Sequence, residues 1–401
     1  MGIAPMYNVS SGCKRNVTRH TPGGLYARTR MKKQFVFLLL LVGLLQSLGH
    51  AVVPVKKSKS KNKQTRNATV KKRKRVPAVD PTEGDNIDGD DLMIRRAAVS
   101  ALGPVNGSVV VVDPNTGRIL TIVNQKLALK GGFTPCSTIK LVTSLAALNE
   151  HVVDRDSWVY IGRYTRFNLT TALAKSNNQY FAALGNRLGF DRVVRYAQLL
   201  GLGEKATLDI AEEQPGAIAD APPKSGGVGL MTSFGEGFSV TPLELAALLT
   251  SIANGGTLYY LQYPRTQAES EQFTPRVKRP LDLESNDITD IREGMRAAVN
   301  FGTARRAADV PDDPVLGKTG TCTDFKSANH MGWFGSFNDV GRHQLVVVVM
   351  LTGGHNVSGP VASGVAGNIY RALSEQSYFA SDGGPRGLPA ITSTSPTASA
   401  R

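Results

Sequence analysis

The chain has 401 residues, 41% of which are hydrophobic, and this apolar content excludes a wholly disordered protein. The formal net charge is +15, but residues 1–79 contain 18 of the 47 Lys and Arg residues and none of the 32 Asp and Glu residues. The rest of the chain therefore carries 29 basic and 32 acidic side chains. Because the basic charge belongs to the N-terminal segment, we do not expect a nucleic-acid-binding body.

Residues 31–51, MKKQFVFLLLLVGLLQSLGHA, have the three parts of a secretory signal peptide: a positive end, an apolar stretch, and small residues before a cleavage site. The apolar stretch is shorter than the roughly 20 residues of a membrane span, so we favour cleavage after Ala51 over a retained anchor. We expect export to the bacterial periplasm or the outer face of the inner membrane, where disulfides can form. Residues 1–30 are an unassigned N-terminal extension.

Residues 52–93 are predicted to be a disordered linker, basic over 56–75 and acidic over 80–91. The run KKRKR is typical of a nuclear address or a nucleic-acid patch, but a secretion signal precedes it. A plain tether is the first interpretation. Binding of anionic envelope polymers or lipid headgroups through 56–75 is the functional alternative.

The folded body is predicted at 94–375 and a disordered tail at 376–401. Apolar runs on either side of turn residues predict one β-hairpin at 107–124 and a second at 330–351. Strands near both ends with helices between them predict an α/β (α+β) fold, in which helices flank a central antiparallel sheet and form a second, all-helical lobe. Helical patterns cover residues 137–150, 169–186, 191–201, 241–253 and 285–300.

The first candidate for chemistry is Ser137, with Lys140 three residues later at the start of the predicted helix. Residues three apart share a helix face, so we expect the Lys140 amine beside the Ser137 hydroxyl. A desolvated, neutral lysine can take the proton of a serine nucleophile. The alternative interpretation is an ordinary helix-capping serine, and Ser-x-x-Lys also occurs in segments that we do not expect to fold.

Two further short motifs follow along the chain. Ser176-x-Asn178 is weak evidence by itself, because Ser-x-Asn recurs elsewhere in the sequence. Lys318-Thr319-Gly320 is the only Lys-Thr-Gly in the sequence. It is either a strand end followed by a turn, or an inner-edge strand whose backbone is open to a ligand.

In this order the three motifs resemble the signature of penicillin-binding proteins and serine β-lactamases. The resemblance to penicillin-binding transpeptidase domains covers roughly residues 105–372. It implies a β-lactamase/transpeptidase-like fold and a serine D,D-transpeptidase that acts on peptidoglycan stem peptides and binds β-lactams. The longer segments that are similar are TLDIAEEQPG, SFGEGFSVTPLELAALLTSIANGG, EGMRAAVNFGTARRA and VLGKTGTCTDFKSANHMGWFGSF.

The resemblance implies roles for the residues of the first two motifs. Ser137 would attack the carbonyl of a D-Ala-D-Ala stem peptide or of a β-lactam, and Lys140 would take its proton. Ser176 would relay a proton to the leaving amine, and Asn178 would hold the substrate amide and Lys140. No metal or other cofactor is implied.

The resemblance also implies how the third motif binds substrate. Lys318 would bind the substrate carboxylate and depress the pKa of Lys140, and Thr319 would add a hydroxyl to the carboxylate contact. Gly320 would leave the strand backbone open to the ligand. The backbone N–H groups of Ser137 and Thr321 would form the oxyanion hole.

Several alternatives on the same scaffold stay open from sequence. A β-lactamase or a D,D-carboxypeptidase would resolve the acyl-enzyme with water. Glu212 or Glu213 would then be the candidate deacylating base, and a carbamylated Lys140 is compatible with the motif of a second β-lactamase class. A non-catalytic sensor or scaffold that binds β-lactams or peptidoglycan is the alternative from a different functional class.

The cysteines depart from the family pattern. The residue before the nucleophile is usually glycine in the family and is Cys136 here, while Cys322 follows the Lys-Thr-Gly motif. Some class A carbapenem-hydrolysing β-lactamases resemble this arrangement, with a disulfide joining these positions. If both motifs line one cleft the two side chains could meet, so we predict a Cys136–Cys322 disulfide.

Overall fold

A computed structural model describes residues 80–308, 314–324, 327–338, 343–354 and 356–380. The predicted N-terminal extension, signal peptide and basic linker lie outside the described residues, as does the predicted tail from residue 381 onward. Within the described ranges, no helix combines the length and apolar character needed to cross a bilayer.

The fold combines β-strands with helices of very different lengths. The strands are β1 Gly107–Val112, β2 Ile119–Val123, β3 Val159–Tyr160, β4 Arg166–Phe167, β5 Ala217–Ile218, β6 Phe238–Ser239, β7 Thr257–Tyr259, β8 Val277–Pro280, β9 Val315–Thr323, β10 His330–Asn338 and β11 Val346–Gly353. The α-helices are α1 Leu92–Leu102, α2 Gln125–Ala128, α3 Lys140–Asn149, α4 Leu169–Lys175, α5 Asn178–Leu188, α6 Phe190–Leu199, α7 Gly227–Phe234, α8 Pro242–Ala253, α9 Gln267–Glu271, α10 Ser285–Asn300 and α11 Gly359–Glu375. Single 3₁₀ turns are at Cys136–Ile139 and Arg305–Ala307.

The central sheet has five antiparallel strands in the order β2-β1-β11-β10-β9. Both predicted hairpins are confirmed as strand pairs, β1 with β2 and β10 with β11. Strands from the two ends of the body meet where β1 pairs with β11, with Val110 opposite Val348. The predicted fold class is therefore confirmed, and β9, which carries Lys-Thr-Gly, is an edge strand.

The sheet separates two hydrophobic cores. Val110 and Val112 face the core shared with α3, α5 and α8, whereas Val109 and Val111 face the core shared with α1 and α11. Because both faces of the sheet are covered, β1, β2 and β11 have largely apolar sequences rather than alternating apolar and polar residues. The edge of this doubly packed sheet is a rigid wall on which a site can be built.

The helix predicted over 169–186 was wrong as one element, because the chain breaks between α4 and α5. Ser176 ends α4 in the left-handed conformation, with φ 52° and ψ 44°. Asn177 then caps α5, its side chain accepting a hydrogen bond from the Tyr180 N–H at 2.8 Å. Local side-chain capping thus overrides a continuous helical pattern and turns the Ser176 side chain out of the helix.

The acidic segment 80–91 was wrongly predicted to be disordered linker. Asp85 accepts hydrogen bonds from the backbone N–H groups of Asn124 and Gln125. Asp85 and Asp90 both form ion pairs with Arg95, at 2.9 and 2.8 Å. The run of acidic residues suggested disorder. In the structure the carboxylates of Asp85 and Asp90 attach the segment to the rest of the fold.

The start of the predicted tail also belongs to the fold. Tyr378 and Phe379 pack against the core that contains α1 and α11, and Phe379 is buried. The body therefore extends in both directions beyond the predicted limits of 94 and 375.

Asp90 is the buried centre of the N-terminal attachment, since it also accepts hydrogen bonds from Thr121 and from the Tyr263 hydroxyl. Asp90→Ala leaves the buried hydroxyls of Thr121 and Tyr263 without this acceptor and removes one of the two ion pairs of Arg95, so we expect it to lower the free energy of unfolding by about 3 kcal/mol. The measurement is urea unfolding of the variant. The exposed Asp88→Ala is the control, with an expected loss below about 0.5 kcal/mol. Equal, small effects of the two substitutions would mean that the segment does not contribute to the fold.

Candidate active site

Ser137 and Lys140 lie at the junction of the 3₁₀ turn and α3. Cys136 has a left-handed φ of 52°, which turns the chain sharply just before Ser137. Lys140 begins α3, and its Nζ atom lies 2.9 Å from Ser137 Oγ. Lys140 is fully buried, whereas Ser137 keeps 9% of its surface exposed. The predicted juxtaposition of amine and hydroxyl is therefore present, and the serine keeps slightly more solvent access than the lysine.

The Lys140 amine is surrounded by oxygen acceptors from the break between α4 and α5. Its Nζ atom lies 2.8 Å from the Ser176 carbonyl oxygen, 3.1 Å from Ser176 Oγ and 2.6 Å from Asn178 Oδ1. The Phe181 ring covers the amine at 5.5 Å from the ring centroid. These contacts depend on the left-handed Ser176, because a continuous helix would direct its carbonyl along the helix axis.

Lys318 brings a second cation to the same hydroxyl. It is fully buried in β9, and its Nζ atom lies 2.8 Å from Ser176 Oγ and 2.8 Å from the Thr319 carbonyl oxygen. The Ser176 hydroxyl therefore bridges the amines of Lys140 and Lys318. The three short motifs, separated by 181 residues from Ser137 to Lys318, form one hydrogen-bonded cluster.

Burial controls the protonation of both lysines. Desolvation, together with the nearby positive charge of Lys318, lowers the pKa of Lys140 to about 6. Desolvation lowers the pKa of Lys318 to about 7. Near neutral pH the Lys140 amine is thus largely unprotonated and able to accept a proton from Ser137.

Thr303 is a site residue to which sequence reasoning gave no role. Its hydroxyl oxygen lies 2.6 Å from that of Thr319, and its N–H donates to the Ala174 carbonyl at 3.1 Å. A Cβ atom on the preceding Gly302 would lie 2.1 Å from the same carbonyl oxygen, so this close approach requires glycine. The only sequence signal was the similarity of its segment, EGMRAAVNFGTARRA, to the family.

Several contacts hold β9 against the turn that carries Ser137. The predicted disulfide joins Cys136 and Cys322, with Cα atoms 5.5 Å apart. At Gly320 a Cβ atom would lie 3.0 Å from the Pro135 carbonyl oxygen and 3.2 Å from Cys136 Cβ. Glycine at this position allows the strand to lie directly on the turn.

Hydrogen bonds between Asp324 and Thr134, which the sequence did not predict, join the same two segments as the disulfide. The Asp324 carboxylate accepts hydrogen bonds from the Thr134 N–H at 3.2 Å and from its hydroxyl at 2.9 Å. The Trp333 indole N–H donates to the Thr134 carbonyl at 2.9 Å. The two walls of the site are therefore joined both covalently and by hydrogen bonds.

The side chains of Thr321, Glu212 and Glu213 are not part of the hydrogen-bonded cluster around Lys140. Thr321 is exposed and its hydroxyl accepts from the Gly359 N–H at 2.8 Å, so its side chain is turned toward the start of α11. Glu213 is buried, and its two oxygens accept hydrogen bonds from the N–H groups of Ala206 and Thr207 and from the Thr207 hydroxyl. Its carboxylate is thus occupied in holding a loop, while Glu212 is exposed.

Comparison with known proteins adds independent findings. The family described as penicillin binding protein transpeptidase domain matches residues 107–374. Stage V sporulation protein D of Bacillus subtilis is 29% identical over 310 residues, which cover 68% of this chain and 48% of that protein. Peptidoglycan D,D-transpeptidase MrdA of Acinetobacter baumannii is 25% identical over 305 residues, with 60% and 45% covered. The chain spans about half the length of these curated relatives.

Solved structures are similar in fold. The transpeptidase domain of Burkholderia pseudomallei penicillin-binding protein 3 matches with a TM-score of 0.61 at 21% identity, covering 75% of this chain and 96% of that one. Pseudomonas aeruginosa PBP2, solved in complex with WCK 5153, matches with a TM-score of 0.59 at 23% identity, covering 72% and 74%.

The disulfide is expected to make a large contribution to stability, because its ends are 186 residues apart. On the chain-entropy model we expect Cys136→Ala/Cys322→Ala to lower the free energy of unfolding by about 5 kcal/mol, and by at least roughly 2 kcal/mol if the unfolded state retains structure. The measurement is urea unfolding of the oxidised protein and the variant. Alkylation with mass detection is the control, since two reactive thiols at Cys136 and Cys322 in the unreduced, unfolded protein would contradict the bridge.

Proposed function

The chain belongs to the penicillin binding protein transpeptidase family, and we propose that it is a serine D,D-transpeptidase that forms an acyl-enzyme on Ser137 with peptidoglycan stem peptides. One observation carries this proposal: the buried Lys140 amine, with its pKa lowered to about 6, lies 2.9 Å from the Ser137 hydroxyl. A serine hydroxyl and a desolvated amine at this distance have the arrangement of nucleophile and base that acyl transfer requires.

Acylation begins when Lys140 accepts the Ser137 proton and Ser137 Oγ bonds to the substrate carbonyl carbon. The C–N bond to the leaving D-Ala amine then breaks, and that amine takes a proton through the Ser176 hydroxyl. The 3.1 Å distance from Ser176 Oγ to Lys140 Nζ supports this return route. Asn178 accepts a hydrogen bond from Lys140 and directs it toward the two hydroxyls. A second amine resolves the acyl-enzyme and forms the cross-link.

The substrate carboxylate is assigned to Lys318 and the neighbouring threonine hydroxyls. Lys318 supplies positive charge, and the hydroxyls of Thr319 and Thr303, 2.6 Å apart, supply donors at the edge of the sheet. The backbone N–H groups of Ser137 and Thr321 are assigned to the oxyanion. The engagement of Glu213 in loop hydrogen bonds offers no support for a deacylating glutamate at that position.

The place of action follows from the substrate. Peptidoglycan is outside the cytoplasm, and the signal predicted at 31–51 supports export to the periplasm or the outer face of the inner membrane. Residues 56–75, rich in Lys and Arg, are proposed as a tether that also contacts anionic envelope polymers or lipid headgroups.

Labelling by a fluorescent penicillin tests the proposed function. We expect the full chain to be acylated, the label to persist for hours, and Ser137→Ala to remain unlabelled. Stem-peptide substrates with an added acceptor amine should then give a cross-linked product. Label lost within seconds, with free penicilloate released, would identify a β-lactamase instead. A folded protein that takes no label would leave only a non-catalytic binding protein.

The two lysines predict a bell-shaped pH profile for the second-order rate constant of penicillin acylation. Below about pH 6 Lys140 is protonated and cannot accept the Ser137 proton, so the rate constant rises as the pH increases through 6. Above about pH 7 Lys318 loses its charge, so carboxylate binding weakens and the rate constant falls. Because the two lysines interact, the two apparent pKa values of the profile describe the pair and not either lysine alone.

Lys318→Met separates the two contributions. It removes the positive charge beside Lys140, so the pKa of Lys140 rises and the acid limb moves to higher pH while the maximal rate constant falls. The control, Lys224→Met, removes an exposed lysine and should leave both limbs in place. An acid limb that stays near pH 6 in Lys318→Met would show that Lys318 does not depress the Lys140 pKa.

A further inference from the structure

A small hairpin between Lys140 and Ser176 in the chain exposes several aromatic rings. Residues 158–167, here called the aromatic hairpin, contain β3 and β4, which form only two residue pairs. Trp158, Tyr160 and Tyr164 are 50%, 64% and 84% exposed, and they are among the most exposed large hydrophobic side chains of the described chain. Aromatic rings clustered on a surface, rather than scattered singly, mark a binding surface.

The aromatic hairpin is also cationic. Arg166 lies over the rings of Trp158, at 4.5 Å from the centroid, and of Tyr160, at 5.9 Å. Arg163 lies over the Tyr164 ring at 5.3 Å. Residues 158–167 contain no Asp or Glu, and within the described part of the chain neither arginine pairs with a carboxylate. The guanidinium groups therefore present unneutralised positive charge next to exposed ring faces.

The position of the aromatic hairpin relates it to the active site. Asn168 follows β4 directly and caps α4, and α4 ends at Ser176. A seven-residue helix is about 10 Å long, so the end of the hairpin at Phe167 lies roughly one helix length from Ser176. The Lys175 amine reaches back over the Phe167 ring at 5.8 Å, and Arg155 forms an ion pair with Asp290 of α10 at 3.6 Å. These contacts attach the hairpin to α4 and the segment before it to α10.

We propose that the aromatic hairpin binds the glycan strand of the peptidoglycan whose stem peptide enters the active site, an inference that rests on the proposed function. Sugar rings present flat C–H faces that stack on exposed aromatic rings, and the carboxylates of stem peptides pair with arginine. A polymer of amino sugars that carries anionic peptides combines both features. The glycan is thereby held about one short helix from Ser176, which places successive stem peptides within reach of Ser137.

The test is co-sedimentation of the full chain with purified, insoluble peptidoglycan, compared with capture of the chain by peptide-free glycan strands immobilised on beads. The immobilised strands are needed because an amidase that removes the peptides also breaks the cross-links and makes the glycan soluble. We expect Trp158→Ser/Tyr164→Ser to weaken binding to both polymers by about tenfold. Arg163→Gln/Arg166→Gln should weaken binding to the peptide-bearing polymer more than to the peptide-free glycan, because amidase hydrolysis removes the peptide carboxylates but leaves one lactyl carboxylate on each disaccharide. Leu208→Ser and Arg276→Gln alter exposed side chains elsewhere and serve as controls. Tyr164→Ser alone is the variant to use if replacement of Trp158 impairs folding.

The outcomes separate this proposal from the proposed function. Hairpin variants should be acylated by penicillin at the wild-type rate, because penicillin contains no glycan. Hairpin variants that bind both polymers as the wild type does would overturn the glycan site even if Ser137 is acylated. Weakened binding to anionic phosphatidylglycerol vesicles, with unchanged binding to peptidoglycan, would assign the surface to a membrane and likewise overturn it. A wild-type protein that penicillin does not label would instead contradict the proposed function.

Discussion

Two buried lysines directed at one serine hydroxyl are the constraint on which the site depends. Transfer of an ammonium group from water into a protein interior is unfavourable, so burial lowers the proton affinity of both amines, and the nearby positive charge of Lys318 lowers that of Lys140 further. The lowered pKa values of Lys140 and Lys318 follow from this placement. The surrounding oxygens of Ser176, Asn178 and Thr319 satisfy the N–H donors that burial separates from water. A weak nucleophile thereby acquires a base at neutral pH without an added cofactor.

This placement requires walls that do not move apart, since an opening between β9 and α3 would admit water and restore the ordinary pKa values. The central sheet supplies rigidity because both its faces are packed into hydrophobic cores. The Cys136–Cys322 disulfide and the Asp324–Thr134 hydrogen bonds then join the edge strand to the nucleophile turn. Cys136 has the left-handed backbone conformation that glycine adopts most readily, and the bridge holds it in place.

The surface around the site is built with a different chemistry from its interior. Inside, desolvation disfavours the charged form of the two lysines, whereas at the aromatic hairpin the arginine side chains lie over exposed aromatic rings. Helix α4 connects the two, with the hairpin before its first residue and Ser176 after its last. One short helix therefore determines the spacing between the proposed polymer-binding surface and the proposed reacting centre.

The sequence by itself determined the features that depend on local spacing: the hairpins, most helices, and the meeting of Ser137 with Lys140 one turn apart. Family resemblance added the pairing of Cys136 with Cys322. Tertiary structure alone decided that α4 ends at Ser176, that Asp85 and Asp90 attach the acidic segment, and that Thr303 and Asp324 contact the site walls. Each of these depends on which distant segments become neighbours, and periodicity along the chain carries no such information. The pKa values of the two lysines are of the same kind, because desolvation is a property of everything packed around a side chain and not of its position in the sequence.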